Sequence, residues 1–181
     1  MGETNVPDIR LMEPTTEYAR DIWNFRQEIM DSDDKDKFAG CGNLRECSSA
    51  EEWINTIRIG SDRATCPEDR VPSNVYIAVR SSDNRIVGFI DLRHHIDHPI
   101  LSVWGGHIGY YVRPDERQKG YAAEMLRQNL LNCGRLGIGK VLITCDADNQ
   151  ASEKTILANG GVFEKEIEVE GEVMKRFWIT L

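Results

Sequence analysis

The sequence predicts a single mixed α/β domain, and three observations carry that prediction. Seven strand-like runs and four helix-like runs follow one another in the order β-α-α-β-β-β-α-β-α-β-β. The 181 residues suit one domain with one buried core, and no repeat, low-complexity stretch or linker divides them. With 40% hydrophobic and 29% charged residues, the composition is that of an ordinary soluble chain.

The elements can be justified in order. Ile9 to Met12 reads as a short strand, ended by Pro14 and a capping pair, Thr15 and Thr16. Tyr18, Ile22, Phe25 and Ile29 share one face of a first helix. A polar, acidic loop from Asp31 to Gly42 follows. A second helix starts near Ser48 or Ser49, each with a glutamate three residues on as in a capping box, and runs to about Ile59. Val75 to Val79 and Arg85 to Leu92 read as strands around a turn at Ser81 to Asn84. After a His-rich loop, His107 to Val112 is the next strand, with Gly109 marking a bulge or a close backbone approach. Tyr121 to Cys133 has helical period, with Ala122, Met125, Leu126 and Leu130 near one face, ended by Gly134 or Gly137. Lys140 to Thr144 is a short buried strand, and Asn149 can cap a helix reaching about Asn159, stopped by Gly160-Gly161. Two closing strands flank a turn at Glu170-Gly171, the second being Met174 to Thr180.

Charge and composition narrow the function. A net charge of -8 argues against nucleic acid as a partner and is compatible with a cationic substrate, although solubility alone accounts for it. No apolar run is long enough to span a bilayer, no signal-peptide core follows the start, and Val6 breaks the myristoylation pattern, so a cytoplasmic protein without membrane attachment is expected. Cys41, Cys47, Cys66, Cys133 and Cys145 form no C-x-x-C pair and read as free thiols. No metal is expected. Zinc spacing is absent, and His94, His95 and His98 read as a solvated loop. Lys35 and Asp36 spoil the calcium-loop pattern that the preceding aspartates suggest. Gly134 to Lys140 has the spacing of a P-loop, but Val141 replaces its hydroxyl residue and the element order is reversed. Tryptophans 23, 53, 104 and 178 read as packing, with Trp53 or Trp104 as alternative walls of an acceptor pocket.

The most informative stretch is HIGYYVRPDERQKGYA, residues 107–122. A strand ends at Val112, Pro114 turns the chain, and Arg117-Gln118-Lys119-Gly120-Tyr121-Ala122 opens a helix. Free N–H groups at a helix start, with the positive end of its dipole, make an anion site. Gly120 permits close approach of a phosphate, Ala122 lets the helix settle on the sheet, and Arg117 and Lys119 add positive charge. An ordinary basic turn is the plainer reading of R-x-x-G-x-A alone.

The segment resembles the pyrophosphate-binding motif of the Gcn5-related N-acetyltransferase (GNAT) family. IGYYVRP is similar to that family's fourth strand, VLITCDADNQAS to its fifth strand and the start of the next helix, and NGGVFE and RFWI to its closing strands. The LRH, GGHIGY and NGGVFE segments particularly resemble a subgroup of bacterial acetyltransferases.

The resemblance implies the GNAT fold, a central mixed, mostly antiparallel sheet with about four helices, and an open V between the strands ending at Val112 and Cys145. It implies acetyl-CoA in that V. Backbone groups of Tyr110, Tyr111 and Val112 would hold the pantetheine arm, N–H groups from Gln118 to Ala122 the pyrophosphate, and Asn149 and Ser152 would lie beside the arm, although helix capping accounts for both equally well. The implied reaction is direct attack of an amine on the thioester, with Val112 N–H polarising the carbonyl and side chains moving the protons. Many relatives carry a tyrosine acid on the fourth helix, where this sequence has Ile156. His107 and His94 are the candidate proton carriers. Strand parity puts His107 on the opposite face from the base of relatives, and a satisfied structural histidine is the simpler reading. Tyr110 and Tyr111 could offer a phenol. A CoA-binding regulatory module and transfer to a hydroxyl or of a longer acyl chain remain open alternatives. The acidic residues Asp31 to Asp36 could attract a cationic acceptor or merely be solvated, and a homodimer is compatible with the fold.

Overall fold

The computed structural model describes residues 6–35 and 37–181. Residues 1–5, on which the myristoylation reading mostly rests, and Asp36 lie outside the described residues. The expected element order is present. Strand β1 (Ile9–Met12) leads to helices α1 (Ala19–Asp31) and α2 (Ala50–Ser61), then to β2 (Ser73–Arg80), β3 (Ile86–Arg93) and β4 (Tyr110–Val112). Helix α3 (Tyr121–Arg135), β5 (Lys140–Asp146), α4 (Gln150–Ala158), β6 (Val162–Val169) and β7 (Glu172–Thr180) complete the chain. Among the described residues no helix is long and apolar enough to cross a membrane.

Local chemistry explains most boundaries. Ser49 Oγ accepts the Glu52 N–H at 3.1 Å, while the Glu52 carboxylate reaches back to the Ser48 N–H at 2.7 Å, so both serines serve the start of α2. Thr15 makes no side-chain cap; a short helical turn, Thr16–Tyr18, leads into α1 instead. Helix α3 ends through Ile138 N–H to Cys133 C=O at 3.0 Å, with Gly137 at a φ of 76°, which selects Gly137 over Gly134 as its terminator.

The strands form two sheets, β1-β2-β3-β4 and β5-β7-β6, with every pairing antiparallel. A central sheet with an open V between the strands ending at Val112 and Cys145 was the expectation, and the gap falls there, between β4 and β5, which share no ladder. Helices α1 and α2 cover one face of the first sheet through Ile22, Phe25, Ile29, Trp53, Ile77 and Phe89. Helix α3 packs on the other face with Met125, Leu126 and Leu130 against Ala78, Ile90 and Leu92, and this core runs on to Val141 and Ile143 of β5 and Ile156 of α4. A sheet covered on both faces explains why seven of the eight β3 residues are buried.

Candidate active site

The expected strand from His107 to Val112 is a regular ladder only over Tyr110–Val112. Asp91, the one charged residue in the run IVGFIDL, interrupts it. Its N–H still donates to Gly109 C=O at 3.0 Å, but the Gly109 N–H turns to the Asp91 carboxylate at 2.6 Å. The displaced Asp91 carbonyl accepts from Asn129 of α3 at 2.9 Å, and Arg93 pairs with the second carboxylate oxygen at 2.9 Å. Burial raises the Asp91 carboxyl above its usual range, against the pull of Arg93 and the Gly109 N–H. Gly109 therefore marks both a disturbed ladder and a close approach. A Cβ built on Gly40 would lie 2.3 Å from Gly109 O, so the loop after α1 lies directly on the strand there.

His107 sits where the two sheets meet. Its N–H donates to Leu142 C=O at 2.8 Å, and the Leu142 N–H returns to His107 Nδ1 at 2.9 Å. Burial pushes the imidazole down to about 4, and a donor aimed at Nδ1 needs the lone pair of a neutral ring. With Nδ1 occupied, the ring proton is assigned to Nε2, which leaves no free basic nitrogen. His94 lies beyond the end of β3, its Nε2 2.7 Å from Asn74 Oδ1, and burial lowers its pKa.

Beyond His107 the strands part, and alternation decides what faces the gap. Arg113 N–H donates to Val87 C=O and Asp91 N–H to Gly109 C=O, so the odd-numbered residues of this strand face β3. Tyr110 and Val112 consequently direct their backbone groups away from β3, toward β5. On the far side, Leu181 N–H to Gly139 C=O and Ala147 N–H to Val173 C=O turn the odd positions toward β7. The even positions of β5 face the segment from His107 to Val112, and Leu142 meets it at His107. The result is a V, closed at His107 and Leu142 and open toward Val112 and Asp146.

The open end leads into the basic turn. Gln118 and Gly120 both have left-handed backbones, with φ of 61° and 82°. Gly120 is the N-cap of α3 and makes no side-chain cap bond, so the first N–H groups of a 15-residue helix start without the usual partner. The turn is braced underneath by Glu116, only 3% exposed, which binds Arg80 at 2.9 Å, Arg85 at 2.5 Å and Lys119 at 2.8 Å. Burial opposes the charge on Glu116, but Lys119 and Arg80 outweigh it and hold the carboxyl below its ordinary value. Arg113, 2% exposed, anchors the same turn from within through Glu28 at 2.7 Å and Asp21 at 3.0 Å. Lys119 also donates to Asp115 C=O at 3.0 Å, and Arg117 pairs with Asp34 at 2.6 Å. Both basic side chains of the turn are thus held by protein oxygens.

Two phenols flank the V on opposite faces. Tyr110 packs on the α3 and α4 side, its hydroxyl 2.6 Å from Ser152 Oγ, and burial raises its pKa above the ordinary phenol value. Tyr111 packs on the α1 and α2 side, donates to Asp34, and lies 3.3 Å from Ser32 Oγ. Burial and then the Asp34 carboxylate push Tyr111 up to about 12. Asn149 caps α4 by accepting the Ser152 N–H at 3.0 Å. Ile156, at the position where relatives are expected to place a tyrosine, is fully buried in the core. Trp53 is also fully buried, donating to Cys41 C=O at 2.8 Å, whereas Trp104 is 38% exposed on the turn Leu101–Gly105.

The structure thus gathers Tyr110 to Val112, the 117–122 turn, Asn149 and Ser152 around the V and gives His107 its apex. Asp91, Glu116 and Arg113 were missed from sequence, and Asp34 was legible only as one of the acidic residues from Asp31 to Asp36, not as the partner of Arg117. An aspartate in an otherwise apolar strand and a carboxylate just before the basic turn were the available signals for Asp91 and Glu116. Nothing local separates Asp34 from its acidic neighbours, because its partners Tyr111 and Arg117 are remote in sequence.

The model of an acetyltransferase (GNAT) domain matches residues 8–162. A search of curated protein sequences gives no match. Among solved structures, the microcin self-immunity acetyltransferase MccE in complex with acetyl-CoA and AMP superposes with a TM-score of 0.67 at 18% identity, covering 98% of this chain and 94% of that one. The ribosomal-protein alpha-N-acetyltransferase RimL in complex with coenzyme A gives 0.65 at 16% identity, covering 96% of this chain and 94% of that one. A spermidine N-acetyltransferase chimera, SpeG from Vibrio cholerae with hSSAT, gives 0.62 at 14% identity, with 96% and 95% covered. At these identities the likeness establishes the fold.

Proposed function

The chain belongs to the GNAT acetyltransferase family, and from that premise we propose that it transfers an acetyl group from acetyl-CoA to a primary amine of a small molecule or peptide. The single observation that carries the proposal is the continuity of the V with the uncapped N-terminus of α3. A cleft edged by outward-turned peptide groups leads straight to a left-handed turn at an uncapped helix start. An extended amide-bearing arm ending in a pyrophosphate fits that sequence of surfaces, with amides for the edges of the V and a polyanion for the helix start. Asn149 and Ser152 border the arm from α4. We place the activity in the cytoplasm, where the five free cysteines stay reduced.

Bound there, acetyl-CoA supplies an activated acetyl carbonyl and a thiolate leaving group. Val112 N–H polarises the carbonyl, and Tyr110 N–H, with the same parity, serves the arm or shares that task. The Tyr110 hydroxyl, in hydrogen-bond contact with Ser152 Oγ, holds the proton that the leaving thiolate needs. This pair stands on the α4 side of the V, one helical turn before Ile156, and supplies the phenol that Ile156 lacks. The amine approaches from the α1 and α2 side and gives its proton to water, since His107 has no free basic nitrogen.

The test is thiol release from acetyl-CoA with a panel of primary amines, for wild type and Tyr110→Phe. We expect turnover, with kcat lowered by about 10- to 100-fold in the variant and acetyl-CoA affinity nearly unchanged, because Ser152 remains as a weaker donor. Binding of acetyl-CoA without thiol release for any amine tested would count against the enzyme reading. Equal kcat in the two proteins would remove Tyr110 from proton transfer.

A further inference from the structure

Arg117 belongs by position to the pyrophosphate turn, three residues before Gly120, yet its side chain is spent elsewhere. Its Nη1 and Nη2 donate to the two Asp34 oxygens at 3.0 and 2.6 Å, its Nε donates to Val112 C=O at 3.2 Å, and its guanidinium lies 5.2 Å from the centre of the Tyr111 ring. Hydrogen bonds from Arg117 hold the Asp34 carboxyl well below its ordinary value despite partial burial, and Tyr111 and Ser32 add to the effect. The buried carboxylate under the turn, Glu116, differs in kind. Glu116 is 3% exposed and serves three cations, whereas the Arg117–Asp34 pair is 40% and 29% exposed. A half-exposed pair is cheap to exchange, and a buried, multiply bonded one is not.

Asp34 lies in the segment Ser32 to Lys35 that follows α1. Ile29 of α1 and Cys41 are fully buried, and Phe38 is nearly so. In that segment Ser32 and Asp34 reach Tyr111 and Arg117, while Lys35 reaches Asp148 at 3.3 Å. These contacts set residues 32–35 between the turn after β4 and the loop after β5, across the open end of the V and on the side from which the amine comes.

We propose that Asp34 recognises a positive charge on the acceptor, and that Arg117 occupies it until the pyrophosphate of acetyl-CoA draws the guanidinium away. The proposal rests on the acetyltransferase reading above and adds to it the residue that reads the acceptor's charge and the ion-pair exchange that uncovers it. A pyrophosphate carries more charge than one carboxylate and sits against the same turn, so it wins Arg117. The released carboxylate, beside a phenol hydroxyl and an aromatic face, then offers an ammonium group a counter-ion and a cation–π surface together. Before that exchange the site is filled by the protein's own cation, and the acceptor is shut out.

Acetyl-CoA titrations of wild type and Asp34→Asn, and spermidine titrations of each with and without saturating CoA, test this. The variant keeps the shape of the site and removes its charge. We expect Asp34→Asn to bind acetyl-CoA about two- to fivefold more tightly, the worth of a half-exposed ion pair no longer broken. CoA should raise spermidine affinity about tenfold in wild type and leave it unchanged in the variant. Weaker acetyl-CoA binding by the variant would mean that Asp34 orients Arg117 for the phosphate, and would overturn the proposal alone. So would a CoA effect on spermidine that survives the substitution, or one that is absent from wild type. Wild type that ignores acetyl-CoA at millimolar concentration overturns the acetyltransferase reading, and this proposal with it.

Discussion

The two ends of the V are built from the same pair of strands and do opposite things. At the closed end, His107 spends its backbone N–H and its basic ring nitrogen on Leu142. At the open end, Tyr110 and Val112 turn their peptide groups into a gap that no ladder fills, and α3 starts without a cap. Backbone donors that the protein satisfies become structure, and donors that it leaves for something else become a site. Substitutions at the closed end should therefore cost stability, and those at the open end should cost binding.

The largest expected effect on stability is at the apex. His107→Ala removes a buried ring and strands the Leu142 N–H, which together should cost about 4 kcal/mol and lower the melting temperature by about 8–16 °C. His107→Asn, which keeps a short acceptor, should recover part of that loss in the same thermal melts. A loss below about 1 kcal/mol for the alanine variant would mean that the two sheets do not depend on this join.

Acid should reach the same joint. The His107 imidazole has its pKa lowered from 6.5 to about 4 in the folded chain, so the unfolded chain binds the proton more readily. Its contribution to stability is complete above the unfolded value and is lost as pH falls from 6.5 toward about 4, by about 3 kcal/mol in all. Denaturant unfolding between pH 7 and 4 should show this component in wild type, and His107→Asn should lack it. Identical slopes in the two proteins would place the acid sensitivity elsewhere.

The division between the ends also explains what the sequence revealed. The element order was legible because each run carries its own period and its own caps, as Ser49, Gly137 and Asn149 show. The turn from Arg117 to Ala122 was legible because its chemistry is local: a proline, basic residues and a glycine at the start of a helical run. The V between β4 and β5 came from the family resemblance, but its closure was not legible, since it depends on a contact between His107 and Leu142, remote in sequence. The engagement of Arg117 was hidden for the same reason. Its position announces a phosphate ligand, but its partner Asp34 comes from a loop that precedes α2. Lys119 was hidden differently, because Glu116 is close by in sequence and only its burial shows that it gathers three cations. Local pattern reports which groups are offered, and tertiary contacts decide which are already taken.

The smallest expected change in stability accompanies the most direct test of the central claim, that the V and the start of α3 form the acetyl-CoA site. Gly120 has a φ of 82°, and a Cβ there would meet Pro7 at 3.4 Å, so a side chain fits at a modest backbone cost. Gly120→Asp should stay within about 1 kcal/mol of wild type, because aspartate tolerates the left-handed region and can cap the helix. The same carboxylate would occupy and repel the place meant for a pyrophosphate. Calorimetric titration with acetyl-CoA should show binding by wild type and none by a fully folded Gly120→Asp. Equal binding by the two proteins would contradict the account, and would put the nucleotide somewhere other than the turn at residues 117–122.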